Sequence, residues 1–177
     1  MTKMIKKQNI KPFDLWKETM HVMGQYGLLL CTMDKAGKPN AMNVAWLTGG
    51  LVWGRPIITV LVRTDRHTYQ NIEQNNQFTI NVLPPTFSDA LLYLGTASGA
   101  AEDKLAKAKL TVAPGQTVKA PLIEEALVHF ECRVVHKNDV IADNLTPDIR
   151  VLGANHRVYY GEIVAASATP DAAQRLA

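Results

Sequence analysis

Apolar and polar positions alternate along much of this chain, and helical spacing is confined to the stretches between the alternating runs, a pattern that predicts short strands connected by short helices. Phe13 to Met23 is the first helical stretch: Leu15, Trp16, Met20 and Met23 share one face, and Gly24 and Gly27 follow as stop signals. Leu28 to Met33 and Ala41 to Leu47 are apolar runs around Asp34, Lys35, Ala36, Gly37 and Lys38, whose composition reverses the chain and predicts a hairpin. Ile57 to Val62 is apolar and β-branched, opens after Arg55-Pro56 and ends at Arg63, as expected of a strand buried on both sides. Tyr69 and Ile72 recur at helical spacing within His67 to Gln74, and Asn75-Asn76 closes that helix before Phe78 to Leu83 resumes a strand pattern.

Ser88 to Leu94 and Glu102 to Ala108 predict two short helices, the first stopped by Gly95, with the loop Gly95 to Ala101 between them. Ala126, Val128, Phe130, Cys132 and Val134 alternate with polar residues, Lys137-Asn138-Asp139 offers a turn into Val140-Ile141, and Arg157 to Ala165 completes the set with another strand. Helices are too few to cover two faces of a parallel sheet, so the expected fold is mainly β, a β-barrel with short helices.

The chain has 177 residues and no internal repeat, low-complexity tract or Pro/Gly/Ser-rich linker, which predicts a single domain over 1–177. Nineteen basic against sixteen acidic residues leave a net charge of +3, too mild to demand a polyanionic partner. Lys3, Lys6, Lys7 and Lys11 precede the first apolar run, so residues 1–12 read as a mobile basic tail. A nucleic-acid-binding barrel needs aromatic residues interleaved with basic ones on one sheet face. Ala126 to Val134 instead sets Phe130 among aliphatic residues with Arg133 as the one alternating cation, and no nucleic-acid partner is expected. Cys31 and Cys132 have neither the spacing of a metal site nor the density of a disulfide scaffold and read as reduced, buried thiols. No apolar run approaches the roughly 18 residues of a membrane span, and Met1 to Lys11 lacks the apolar centre of a signal peptide. A cytoplasmic protein without membrane contact is expected.

Three segments carry candidate chemistry. Arg63-Thr64-Asp65-Arg66-His67-Thr68 lies where a buried strand turns into the first turn of a helix, where free backbone N–H groups, the helix dipole, two arginines and two threonine hydroxyls suit a phosphate. The same residues also fit a plain helix start, with Thr64 or Asp65 as the cap and both arginines in water. Asn40-Ala41-Met42-Asn43-Val44-Ala45-Trp46 interrupts an apolar strand with small and polar residues, which either admits a planar heterocycle against the backbone or marks an exposed edge with Trp46 in the core. Thr96-Ala97-Ser98-Gly99, leading to Lys104, is a small-residue loop that either approaches a ligand or simply precedes a helix. Asn81, polar at the end of an apolar strand, has the same two readings. His21, His67, His129, His136 and His156 show no HxxxH or HxH pairing, so no metal site is expected, and no GxSxG, Walker-type or GxGxxG motif is present.

In that order and spacing, KPNAMNVAW at Lys38 to Trp46, WGRPIITVLVR at Trp53 to Arg63, RHTYQNIEQNNQFTINVL at Arg66 to Leu83 and LGTASGAAEDKLAKAKLT at Leu94 to Thr111 resemble the flavin-reductase-like family. The resemblance implies an FMN-binding split barrel, with flavin mononucleotide held in a groove beside the barrel. Its phosphate would meet Arg66, His67 and Thr68, assisted by Arg63, and its isoalloxazine would lie against Asn43, Val44 and Ala45. Further contacts would come from Asn81, Val82, Ser98, Gly99 and Lys104, the last near the flavin N1 and C2 carbonyl. The resemblance also implies a homodimer, and an NAD(P)H:flavin oxidoreductase in which NADH or NADPH reduces flavin or another small acceptor through FMN. A flavoredoxin-type electron carrier with no nicotinamide site of its own is the alternative. No catalytic triad is expected, because flavin and nicotinamide supply the chemistry themselves. Two departures from the family pattern stand out: Asn43 where threonine is frequent, and Ala100-Ala101 where many relatives carry an arginine and an acidic residue.

Overall fold

The computed structural model describes residues 6–97 and 102–177. A short strand, β1 (Gln8–Asn9), precedes α1 (Trp16–Tyr26), and β2 (Leu28–Met33) and β3 (Pro39–Val44) then form the expected hairpin. Asp34 closes its loop, its Oδ1 accepting from the Lys38 N–H at 2.8 Å. A second hairpin joins β4 (Leu47–Val52) to β5 (Arg55–Arg63) through Trp53 and Gly54, both at positive φ, as a two-residue turn between twisted strands requires. After α2 (His67–Asn75), β6 (Gln77–Val82) and α3 (Ser88–Thr96), the chain passes through α4 (Lys104–Lys107) and the small pair β7 (Val112–Ala113) and β8 (Leu122–Ile123). Two long strands, β9 (Val128–Asp139) and β10 (His156–Ala168), flank α5 (Pro147–Gly153), and α6 (Ala172–Leu176) ends the chain.

The main sheet runs β3-β2-β6-β9-β10-β5-β4, antiparallel at every step, with β1 added on the far end of β10. Its two terminal strands, β3 and β4, are separated in sequence only by Ala45 and Trp46, so the sheet curls back on itself into a barrel. Leu30, Ile58, Phe78, Ile80, Phe130 and Tyr159 fill the interior and are fully buried. Each such side chain contributes roughly 1.5–3 kcal/mol by leaving water. The opposite face of β2 and β3 presents Leu29, Cys31 and Ala41 to a second apolar layer under Leu91 and Leu94 of α3 and Leu105 of α4. β2 is therefore buried on both faces, which explains its unbroken apolar run.

The structure corrects three expectations. Of the tail expected to be mobile, the described residues 7–10 are anchored: Gln8 and Asn9 pair with Ala168 and Ser167, Ile10 N donates to Ala166 O, and Lys7 Nζ donates to Glu124 O. The end of β10 projects past β5 and leaves a strand edge that this segment covers. Lys137-Asn138-Asp139 is strand, paired with Tyr159, Val158 and Arg157, and both Asp139 oxygens accept from Arg157 at 2.8 and 3.0 Å. That cross-strand pairing outweighs the turn propensity of Asn and Asp, and β9 turns only beyond Val140. α3 continues through Gly95 to Thr96, because Gly95 packs against Asn43, whose Cβ would sit 3.3 Å from an added methyl group.

Candidate functional site

α2 begins directly after β5, with Arg66 as its N-cap in an extended conformation and no side chain capping the first turn. The two residues that could have capped it are engaged elsewhere: Asp65 pairs with Arg63, and the Thr64 hydroxyl meets Asn155 Oδ1. The first N–H groups of a nine-residue helix therefore face outward beside Arg66, the arrangement that attracts an anion. Thr68 is buried here, and its Oγ1 accepts from Asn40 Nδ2 at 2.9 Å. Arg63, Arg66, His67 and Thr68 together line a cavity of about 280 Å³, which Asn40 and Met42 of β3 close on one side and Ala97 and Lys104 on the other.

Lys104 opens α4, where the Asp103 side chain caps the helix by accepting from Ala106 N at 3.1 Å. It is only 5% exposed, and its ammonium donates to the carbonyls of Leu94 (3.2 Å) and Ala97 (3.1 Å). Burial, and then the charge of Arg66, pull its pKa down to about 8. Asp65 also lines this cavity but pairs with Arg63, and neither Arg66 nor Lys104 has a carboxylate partner within ion-pair distance among the described residues, so the cavity carries net positive charge.

A second cavity of about 420 Å³ continues from the first across Met42, Arg63 and Arg66, which line both. Asn43, Val44, Ala45 and Trp46 form its floor, and Val151 and Leu152 of α5 stand with His156 on the far side. Trp46 is 43% exposed and stacks on His156, with ring centroids 4.9 Å apart and planes tilted by 39°. His156 Nδ1 donates to Gly153 O at 3.0 Å, leaving Nε2 as an acceptor. Burial, with the charge of Arg63, lowers the pKa of this ring against the opposing bond to Gly153 and the charge of Asp65, which favours the neutral imidazole. The Asn43 side chain turns away to brace β3 against the end of α1: its Nδ2 donates to Tyr26 O at 3.0 Å, and its Oδ1 packs over Gly27. Gly27 has φ +80°, and an added Cβ there would lie 2.0 Å from that oxygen.

Of the residues expected at the site, Arg63, Arg66, His67, Thr68 and Lys104 meet at the first cavity and Asn43, Val44 and Ala45 at the second. Lys104 thus lies with the cationic cluster and not along the 43–45 floor. Asn81 and Val82 line neither cavity. Asn81 is fully buried, with its Oδ1 accepting from Ile123 N at 2.9 Å and its Nδ2 donating to Thr79 at 3.0 Å, so its polarity anchors β8 on the sheet. Val82 belongs to the barrel interior. Ser98 and Gly99 lie outside the described residues. Asn40 and Met42 fall inside the KPNAMNVAW segment without being expected as contacts, and Trp46, which the edge-strand alternative places in the core, is instead exposed and lines the second cavity. α5 was missed although Thr146-Pro147 is a recognisable helix start. His156, an isolated histidine at a strand end, left no signal.

A family model described as Flavin reductase like domain matches residues 21–177. The chain belongs to this family. Among solved structures, this flavin-reductase-like chain is similar to the flavoredoxin of Desulfovibrio vulgaris (Miyazaki F), at 27% identity and TM-score 0.69, covering 81% of this chain and 69% of that one. It is also similar to the flavoredoxin from Methanosarcina acetivorans, at 26% identity and TM-score 0.68, covering 81% and 68%. An uncharacterised protein of Archaeoglobus fulgidus is 28% identical over 127 residues, which make up 72% of this chain and 64% of the relative's length. The expected fold, a mainly β FMN-binding split barrel, is the fold observed.

Proposed function

We propose that this chain binds FMN along the two joined cavities and acts as an oxidoreductase, taking electrons from NADH or NADPH and passing them to flavin or another small acceptor. The observation that carries this reading is the continuity of an uncapped, cationic helix N-terminus with a second cavity lined by Asn43, Val44, Ala45, Trp46 and His156. The residues present fit the cofactor: Arg66, Thr68 and the first turn of α2, with Lys104, would hold the phosphate, and the Asn43 to Trp46 strand end would receive the ring. FMN, when bound, supplies the electron-transfer chemistry. What the chain adds is placement and environment. Arg63 is neutralised by Asp65 at the junction of the cavities, so net positive charge is concentrated at the phosphate end. Val151, Leu152 and Trp46 add apolar surface to the lining of the ring end.

A second reading, an electron carrier reduced by another protein, is supported by the similarity to two flavoredoxins. An anaerobic absorbance spectrum of the FMN-loaded protein, recorded before and after NADH or NADPH, separates the two. Bleaching of the flavin band is expected of the oxidoreductase, whereas a band that persists until a chemical reductant is added would establish the carrier.

A further inference from the structure

Another cavity, of about 340 Å³, shares no lining residue with the first and second cavities and is built on the outer face of β9 and β10. Val128 and Phe130 of β9 and Ala166 and Ala168 of β10 belong to the barrel interior, so strand alternation turns His129 and Ser167 outward. Register sets these two side chains opposite one another, and sets Asn9 opposite Ser167 from the other side. Lys7, two residues before Asn9, falls on the same face and completes the floor. Residues 113–124 form the facing wall, and side chains of the sheet pin them down. Asn81 Oδ1 accepts from Ile123 N, and Glu131 Oε2 accepts from Thr117 N at 2.7 Å and Val118 N at 3.0 Å. The cavity is therefore preformed, as ligand sites generally are.

Its polar groups are of complementary kinds. His129 and Ser167 are 5% and 7% exposed and both line the cavity. His129 Nε2 lies 2.8 Å from Ile123 O, which can only accept, so Nε2 carries the proton and Nδ1 is an acceptor. Burial above all, with the charge of Lys7, takes this ring down to a pKa of about 4 against the bond to Ile123 O and the charge of Glu131, so it meets a ligand neutral. The half-buried Lys7 ammonium donates to Glu124 O at 2.9 Å. Its pKa is lowered by burial against the charges of Glu124 and Glu125, so an arriving carboxylate would stabilise its charged form. Lys6 adds a second cation, Glu124 an anion, and Ala113, Pro114 and Leu122 an apolar wall. A simple anion satisfies the lysines but meets Glu124 and brings Nδ1 no donor. A simple cation satisfies Glu124 and Nδ1 but meets two lysines. A carboxylate beside an ammonium, on a short apolar group, suits every part of the lining.

We infer that this cavity binds a free α-amino acid with an apolar side chain, its carboxylate held by Lys7, Lys6 and the Ser167 hydroxyl and its ammonium by Glu124 and His129 Nδ1. The inference goes beyond the FMN reading and does not rest on it.

The test is calorimetric titration of the full chain with L-leucine, L-methionine and L-phenylalanine, each beside the same molecule lacking its α-amino group or its carboxylate. At least one amino acid should bind, and both of its truncated counterparts should bind roughly tenfold more weakly or not at all. Lys7→Gln and Ser167→Ala, shown to be folded by thermal melts, should each weaken that binding by about tenfold. Saturating FMN should leave it unchanged. No binding of any of the three amino acids, truncated counterparts that bind as tightly, or full affinity in both variants would overturn the inference. Loss of binding in saturating FMN would also overturn it, by moving the amino acid to the first and second cavities. The comparison of probes on the unmodified protein decides the matter even where a variant does not fold.

Discussion

Lys104 is the residue whose chemistry responds most directly to pH. Burial and Arg66 lower its pKa to about 8, so in the free protein the ammonium begins to lose its proton just above neutrality. A phosphate bound beside it favours the charged form and raises that pKa, so protons are taken up on binding wherever the free lysine is neutral. FMN affinity should therefore hold between pH 7 and 8 and fall above it, by up to about tenfold per unit, until the bound-state pKa is reached. Fluorescence titrations of FMN from pH 7 to 9.5 check this, and Lys104→Gln should bind more weakly at pH 7 and lose the decline. An unchanged decline in Lys104→Gln would assign it to another group. At this scale the sequence was legible where residue type and local geometry coincide: Arg66, His67 and Thr68 sit on a strand-to-helix turn, and such a turn presents free N–H groups whatever lies around it. Asn81 misled because an isolated polar residue in an apolar strand looks the same whether a ligand or a neighbouring strand satisfies it. Gly27 illustrates the converse, a residue whose importance depends on a distant partner. Gly27→Ala should destabilise the fold by several kcal/mol through the positive φ and the contact with Asn43, as a melting curve would show.

α2 is an element held at both ends. Its N-terminal turn is tied to β3 by Asn40 and Thr68, and its C-terminal half to the barrel by Glu73, which accepts from the Tyr159 hydroxyl at 2.8 Å and pairs with Lys137 (2.8 Å) and Arg157 (3.2 Å). Partial burial opposes ionisation of Glu73, but the hydrogen bonds from Lys137, Tyr159 and Arg157 outweigh it, and its pKa lies below the usual glutamate value. A carboxylate with a lowered folded-state pKa stabilises above the ordinary value, and that stabilisation is lost as pH falls through the lowered one. Glu73→Gln should cost about 1–2 kcal/mol at pH 7, reduced from a buried network by partial exposure, and lower Tm by roughly 2–6 °C. The gap should close in acid, and a difference that stays constant from pH 7 to pH 3 would refute the ionic account. Element identity was read correctly where burial makes the pattern continuous, as in β2, β5 and β6. It failed where tertiary pairing overrides local preference. Lys137-Asn138-Asp139 stays extended because Arg157 clamps Asp139 from β10, and β4, with Gly49-Gly50 at its centre, has little strand signal of its own but pairs with β5 along its whole length.

At the level of the whole molecule, the barrel brings the end of β3, the β5–α2 turn and α4 to one place, although they are spread from Asn40 to Lys104 in sequence. The overall architecture was legible because alternation and short connections leave few alternatives; the wall built by α5 was not, since it comes from a segment with weak periodicity. α5 also carries Ile149, Val151 and Leu152 outward beside the ring groove, Val151 being 86% exposed. We propose that the homodimer implied by the family resemblance places a second copy of the chain over this face. Sedimentation velocity should return twice the monomer mass, with Val151→Glu shifting it towards monomer, and a monomer at all concentrations tested would reject the dimer. The most direct test of the account is an equilibrium titration of FMN into the protein and into Arg66→Ala/Thr68→Ala, with thermal melts of both. The account predicts that the unmodified protein binds FMN and that the double variant loses on the order of 100-fold in affinity while remaining folded, its Tm falling only by the few degrees expected when the buried Asn40 amide loses its Thr68 partner. Equal FMN affinity in the two proteins would contradict the placement of the phosphate at the start of α2, and no FMN binding by either would contradict the function built on it.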